Sequence, residues 1–433
     1  MTLLLVIAAI FVLVLINVPI AVAIGVVAIA GTWLTQGWDA LVNIPLTLYS
    51  GATSFPLIAI PLFILAGALM NTTGLSKRLI NLVSAMVGFV RGGLAMVNVG
   101  VSMFFAEISG SAVADVAATG SILIPEMKRR NYNPEFAAAI TSASASLAII
   151  IPPSLSMILY GAIADTSVVK LFVAGVVPGI LGGIGLAAAC YYFAVKYNLP
   201  REEAFSLTRL GKAFREAFWA LLLPVIILGG IFGGIVTATE GAGVAVLAAL
   251  VIGGLVYREM DLQVLYRAVI DGVVQTAVVM LLVATSAILG SFLTEMQLPQ
   301  QLAREITSIT TDPVLVLALL NVLLLVLGMF LHGAAAIILV VPIVLPLIQQ
   351  IGIDPIHFGL ILTLNLAIGQ QTPPVASVLA TSCSIARTDM WKTTRVNLPM
   401  IGVLFIVLML VTYVPAIPMT LVNMLYPTTG VTQ

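Results

Sequence analysis

Charge is what this chain has least of. Asp, Glu, Lys and Arg make up 8% of its 433 residues, where a soluble protein carries about 25%. No soluble core of this length would need so few, and 61% of the residues are hydrophobic. The 18 basic and 18 acidic residues cancel. No basic patch interleaves with aromatics, which excludes nucleic acid as a partner. Cysteine is nearly absent: Cys190 and Cys383 stand alone in apolar sequence, a spacing that fits neither a disulfide framework nor a metal site. His332 and His357 are the two histidines, and the chain has no His-Glu-x-x-His motif, Ser-His dyad or paired Asp of an intramembrane protease. Long polar stretches are missing too. The longest, Lys196–Arg215, is about twenty residues, too short for a fused ATPase, and the GxxxxGK[ST] phosphate loop is absent. Any transport must therefore run on a gradient or on a separate motor subunit.

What the chain does have is apolar runs of about 20 residues from end to end, each long enough to span a bilayer. The short alternating segments of a β-barrel do not occur. The expectation is an all-α polytopic, multi-pass membrane protein. The N-terminus lacks a positive n-region and a small-residue cleavage site, so it reads as a retained span rather than a signal peptide. Met1–Trp33, with a kink at Asn17-Val18-Pro19, is taken as one tilted span because that keeps the charge pattern.

Two of these runs are broken by a Pro-Pro pair, at Pro152-Pro153 and Pro373-Pro374. Proline removes a donor and clashes with the preceding turn. A break at membrane depth persists only where the freed backbone is buried in protein or lines a cavity, and a matched pair of breaks points to a transporter's binding site. The match extends well beyond the breaks. Pro125, Pro134, Pro152, Pro153 and Pro178 recur 221 residues later as Pro346, Pro355, Pro373, Pro374 and Pro399. Upstream the offset is 223, pairing Gly67 with Gly290, Asn98 with Asn321 and Gly110 with Gly333. Each repeat reads as a span, an amphipathic arm, a re-entrant hairpin, a broken helix and a further span. The division expected is 1–51, N-terminal scaffold span or spans; 52–180, repeat 1, with its hairpin at about 95–130 and broken helix at about 135–164; 181–274, linking spans and a cytoplasmic arm; 275–401, repeat 2, with its hairpin at about 313–350 and broken helix at about 356–384; and 402–433, the end of the last span and a tail.

Positive charge orients the repeats. Arg91 and Lys128-Arg129-Arg130 flank the first hairpin, while the second exits through Gln349–Asp354 with no basic residue. The first therefore opens to the cytoplasm and the second to the outside. Three spans between the repeats (roughly 171–195, 218–236 and 240–257) invert the second. This topology places all 18 basic residues inside except Lys170 and Arg304. Trp219 and Trp391 fall at the inner boundary and Trp33 and Trp38 at the outer one, as aromatic belts do.

The strings EISGSAVADVAATGSILIPEM, IPPS, GGIFGGIVTATEGAGVAV and GQQTPPV, in that order, resemble the large membrane subunit of TRAP (tripartite ATP-independent periplasmic) transporters over nearly the whole chain. The resemblance implies an elevator-type ion-transporter superfamily fold, in which hairpins and broken helices slide against a scaffold. It implies import of a small organic acid anion coupled to two or more Na⁺. It also implies a soluble periplasmic substrate-binding protein and a small four-helix membrane subunit, expected here as a separate chain. One departure is Thr237-Ala238-Thr239-Glu240, where the family often has Thr-Pro-Thr-Glu. The alternative reading is a stand-alone ion-coupled carboxylate carrier of the same superfamily; a channel fits paired hairpins poorly.

Sodium takes oxygen ligands, and in a membrane the cheapest are hydroxyls and carbonyls freed by helix breaks. The first sodium site is expected at Ser109, Gly110, Ser111, Ser144, Pro152 and Ser154, and the second at Gly328, Gly333, Gly369, Thr372 and Val375. Half-helix N-termini at Ser111, at Gly333 and after each Pro-Pro pair are expected to converge on a carboxylate. Asn365, Gln370 and Gln371 are the candidate polar contacts and Arg387 the nearest candidate cation. Glu107, Asp115 and Glu240 are intramembrane carboxylates, costing about 2.5–3.5 kcal/mol each at the bilayer centre. The first two are read as braces of the hairpin tip and Glu240 as structural. His332 is read as a hydrogen-bonding spacer.

Overall fold

The computed structural model describes residues 2–16, 18–201 and 204–427, apart from the side chains of residues 2–4, 15, 76 and 107–109. The expectations for Glu107 and for the Ser109 hydroxyl therefore fall outside the described residues. The described chain forms 21 α-helices. The N-terminal third contains α1 (Thr2–Leu15), α2 (Ile20–Gln36), α3 (Ile44–Ala52), α4 (Ala59–Thr72), α5 (Leu75–Val87), α6 (Gly93–Ser109), α7 (Ala112–Asp115), α8 (Ser121–Arg129), α9 (Pro134–Ala145) and α10 (Leu155–Ile163). Then come α11 (Val168–Lys196), α12 (Leu207–Phe232), α13 (Ala238–Leu250), α14 (Leu262–Glu295) and α15 (Leu298–Ile309). The chain ends in α16 (Pro313–Phe330), α17 (Gly333–Gln350), α18 (Pro355–Gly369), α19 (Ser377–Ala386), α20 (Met390–Tyr413) and α21 (Ala416–Leu425). Among the described residues, eight helical segments are long and apolar enough to cross a membrane. The protein is a multi-pass, all-helical membrane protein.

Two differences from the expected layout have local causes. The N-terminal stretch is two helices, α1 and α2, rather than one tilted span. Pro19 has no N–H to continue the ladder and sits just before the first turn of α2, and both helices contribute to one core through Ile10, Ile24 and Ala28. The polar arm Lys196–Arg215 is half helical: α12 starts at Leu207, where the Ser206 side chain accepts from Arg209 N. Glu240 is structural, as read. Thr237 N donates to its carboxylate at 2.8 Å and Glu240 N donates to Thr237 Oγ1 at 3.2 Å, a capping box that starts α13 without the family's proline.

α9 and α18 form the centre. From Phe136 to Ala145 and from Ile356 to Gly369 every residue is buried, as helices apolar on all faces must be. Their starts use the same chemistry. Asn133 Oδ1 accepts from Glu135 N (2.7 Å) before Pro134, and Asp354 Oδ1 accepts from Ile356 N (2.7 Å) before Pro355, which combines an N-cap with a proline at N1. Around this pair the packing crosses over: α19 lies on α9, and α10 lies on α17. α14 packs on α2, α3 and α4, forming an outer wall.

α16 crosses α18 in close backbone contact. A Cβ placed on Gly369 would lie 2.6 Å from Gly328 Cα, so the two backbones touch. Gly369→Ala is expected to destabilise the fold by about 1–3 kcal/mol through overpacking, read as a lower melting temperature in detergent. Gly402→Ala, inside α20 with nothing within 4 Å of its new methyl, should raise the melting temperature slightly, since alanine loses less backbone freedom on folding.

The amphipathic arm α5 is tied to the loop before α14 by a bidentate pair. Arg78 Nη1 and Nη2 reach Glu259 Oε2 and Oε1 at 2.9 and 2.6 Å, and the guanidinium lies 3.9 Å from the Tyr257 ring centroid. Its hydrogen bonds hold the Glu259 carboxyl below the usual carboxylate range. The contribution of this pair is complete above that range and is lost as pH falls through the lowered value. Melting curves should show an acid-side loss that Glu259→Gln removes.

Candidate functional site

The first hairpin turns where α6 ends at Gly110, in the left-handed conformation at φ 58°. Glycine is required there twice over, because a Cβ would lie 3.0 Å from Pro153 O and 3.1 Å from Leu155 N. The tip thus rests on the first break. In that break α9 passes through a tight turn, Ser146–Ile149, and the backbone stays unwound until α10 begins at Leu155. Pro152-Pro153 is a cis peptide. Ser154 Oγ donates across the gap to Ile149 O at 2.7 Å. Behind it, a Cβ on Gly175 of α11 would lie 2.4 Å from Ile150 O, so only glycine lets α11 close over this carbonyl.

The second hairpin turns at Leu331-His332 before α17 starts at Gly333. The second break follows α18, with Pro373-Pro374 cis and Ala376 at φ 46°. Thr372 Oγ1 donates to Ile368 O at 3.0 Å. Val375 N donates to Met329 O at 3.3 Å, joining the break to the hairpin arm, and Val378 N donates to Gln370 O at 3.1 Å. A Cβ on Gly333 would lie 3.0 Å from Gln370 Nε2 and 3.7 Å from Ser156 Oγ. The second tip therefore meets both breaks.

A cavity of about 450 Å³ lies where these four elements converge. Its polar lining comes from Ser111, Ser156, His332 and Gln370, joined by Gln275 of α14. Ile60 and Ile64 of α4 and Val274, Val278 and Val279 of α14 complete the lining. The volume suits a small organic ligand.

The expected site residues divide on this geometry. Gly110, Ser111, Gly333 and Gln370 line the cavity. Gly328, Gly369, Thr372 and Val375 gather at the second break behind it. Pro152 lines a separate apolar gap with Met103 and Phe232, and Ser154 bridges its own break. Ser144 is held in a buried network, its hydroxyl 2.9 Å from Asn98 Oδ1 and 3.0 Å from Ser102 Oγ. Asn365 Nδ2 donates to Asn321 Oδ1 at 2.7 Å, and Asn321 Nδ2 donates to Thr412 Oγ1 at 3.2 Å. Gln371 Oε1 accepts from Asn397 Nδ2 of α20 at 3.1 Å, so Gln371 points away from the cavity. Arg387 is exposed, next to Ala386, whose carbonyl accepts from Lys128 Nζ at 3.0 Å; it does not line the cavity. Asp115 is buried on the second arm of the first hairpin, and Thr119 Oγ1 donates to its backbone carbonyl at 2.7 Å.

Sequence reasoning omitted Gln275, Ser156 and the aliphatic wall. Gln275 carried a signal, being an amide in the apolar run VVQTAVV. The wall carried none, since Ile and Val occur throughout the chain.

A helical membrane protein whose broken helices and hairpin tips enclose one central cavity has the build of a permease, and the comparisons agree. The chain matches the model of the tripartite ATP-independent periplasmic transporter DctM component over residues 7–417. It belongs to that family. It is 41% identical over 405 residues to the isethionate TRAP transporter permease protein DctMQ of Oleidesulfovibrio alaskensis, covering 93% of this chain and 64% of that one, so it spans about two thirds of that relative's length. It is 39% identical to the C4-dicarboxylate TRAP transporter large permease protein DctM of Vibrio cholerae, covering 94% and 96%. It is 35% identical to the sialic acid TRAP transporter permease protein SiaT of Haemophilus influenzae, covering 95% and 67%. These relatives are permeases, not enzymes. The crystal structure of the Alcanivorax borkumensis YdaH transporter shares the fold, with a TM-score of 0.63 at 16% identity over 86% of this chain and 88% of that one.

The Asn321–Asn365 bond is fully buried, so truncating one partner strands the other. Asn365→Ala is expected to cost about 1–3 kcal/mol. The double variant Asn321→Leu/Asn365→Leu should recover part of that loss, measured by thermal melting in detergent.

Proposed function

We propose that the chain is the permease subunit of a sodium-coupled, binding-protein-dependent importer of a small organic acid anion in a bacterial inner membrane. One observation carries this reading: both hairpin tips and both helix breaks meet at a single cavity, whose lining α4 and α14 complete. The named cargoes of the relatives, isethionate, C4-dicarboxylates and sialic acid, are all organic anions. On this reading the partners are a small membrane subunit, a periplasmic binding protein and membrane lipid. The two inverted repeats supply α6–α10 and α16–α19 as the moving unit, and α4 and α14 stand in the fixed wall.

Sodium is assigned to the carbonyls and hydroxyls of the two tip-and-break junctions: Gly110, Ser111 and Ser154 at the first, Gly328, Gly369, Thr372 and Val375 at the second. Each Na⁺ entering gains about 2.3 kcal/mol per 100 mV and about 1.4 kcal/mol per tenfold gradient. Two ions with a monoanion carry net charge inward, so uptake is electrogenic.

Two tests follow from this assignment. In proteoliposomes with the partner proteins, Thr372→Ala and Ser111→Ala are expected to weaken the sodium dependence of uptake about tenfold or more, and an unchanged sodium titration in both sinks the assignment. For the sliding unit, Val278→Cys with Ala334→Cys places one thiol on α14 and one on the second hairpin, both at the cavity lining. A bifunctional thiol cross-linker should abolish uptake and a cleavable version should restore it on reduction. Full uptake after complete cross-linking would falsify the relative movement.

A further inference from the structure

We infer that the chain holds one anionic phospholipid in an apolar groove between the arm α5, the hairpin arm α6 and α12. The groove encloses about 880 Å³ and shares no lining residue with the transport cavity. Leu82 and Met86 of α5, Phe104 of α6 and Leu210, Phe214 and Leu228 of α12 line it. No described lining residue has a polar side chain. The groove faces outward: Phe214 and the lining Val225 are 50% and 65% exposed. Water on such a surface finds no partner, so a hydrocarbon chain is the favoured filling.

Charge along α12 selects the kind of chain. Its charged residues are Arg209, Lys212, Arg215 and Glu216, all in the first three turns, and Ala217–Phe232 carries none. The groove wall is thus cationic at one end and hydrocarbon beyond it, which is the complement of an anionic amphiphile. Arg215 is one turn on from the groove-lining Gly211, so the two are neighbours on the helix surface. Glu216 is two residues from Phe214 and lies across the helix, where Lys212, four residues earlier, is its neighbour. Arg215 is therefore the cation beside the groove; it is exposed and in no ion pair among the described residues. Phe214, Phe218 and Trp219 follow it with ring centroids 6.2 and 5.5 Å apart, the aromatic group expected at headgroup level. From Ala217 to Leu228 the uncharged wall is about 17 Å long. That matches the hydrocarbon of one leaflet, about 15 Å, and is about half of what a spanning helix of a partner protein needs. The occupant that fits both the charge and the depth is a lipid.

The full chain, stripped of lipid in detergent, is titrated with dioleoylphosphatidylglycerol and dioleoylphosphatidylcholine, which share their chains and differ in net charge. Glycerol phosphate supplies the head alone. Native mass spectrometry reads the first molecule bound. Phosphatidylglycerol is expected to bind at least about fivefold more tightly than phosphatidylcholine, the worth of one arginine beside an anionic headgroup, and glycerol phosphate should not bind measurably. Arg215→Gln should bring phosphatidylglycerol to the level of phosphatidylcholine and leave the latter unchanged. A Cβ at Gly211 meets nothing within 4 Å, so Gly211→Trp fills the groove without a clash in the protein and should weaken both lipids about tenfold. Equal affinity for the two lipids on the unaltered chain overturns the anionic head, and unchanged binding to Gly211→Trp overturns the groove as its place. Loss of the bound phosphatidylglycerol on adding a small membrane subunit gives the groove to that subunit and overturns the lipid. None of these outcomes bears on the transport cavity.

Discussion

An unpaired backbone group has no water to turn to inside an apolar protein, and this constraint organises the molecule. The two Pro-Pro segments each free several carbonyls and N–H groups, at a cost of several kcal/mol per group if left unanswered. The neighbouring chemistry answers them one by one. Ser154 and Thr372 hydroxyls reach back to carbonyls at Ile149 and Ile368. Val375 and Val378 donate to Met329 and Gln370. Glycines at 110, 175, 328 and 369 let another backbone come close enough to shield the rest. The cavity is where this shielding stops.

Sequence revealed what proline and its neighbours do locally. The unwound segments and the all-helical membrane class follow from residue chemistry acting over one or two turns. Direction was harder to read. Every face of α18 is buried, so nothing in its sequence distinguishes the face of Asn365 or Gln371 from any other, and both bond to neighbouring helices instead of facing the cavity. Arg387 is close to the break in sequence, but the ten residues of α19 carry it away from the cavity. The pairing of Asn98 with Asn321 was visible as a spacing. Its physical content, a buried bond from each asparagine to its broken helix, required coordinates.

The two halves differ in how they are tied down. The first hairpin arm bonds to α9 through Asn98, Ser102, Thr141 and Ser144, and Asn98 also reaches Met127 of α8. The second broken helix and its hairpin reach further, to α20. His357 Nε2 lies 2.7 Å from Val411 O, Asn321 donates to Thr412, and Gln371 accepts from Asn397. α20 is therefore bound into the second half by three polar contacts.

The aliphatic wall of α4 and α14 has a mechanical meaning. A seam of directional bonds has detents: displacement breaks one set before the next can form. A seam of Ile and Val against small hairpin residues has none, so it tolerates any register at nearly equal energy. On the sliding motion proposed above, the stops on travel lie elsewhere, at the arms joining hairpin to wall. α5 and α15, with 13 and 12 residues, are rods of about 18–20 Å at 1.5 Å per residue, and α5 is pinned to the loop before α14 by Arg78 and Glu259. The length of a rod and the position of its pin, rather than the chemistry of the sliding surface, define how far such a hairpin can go.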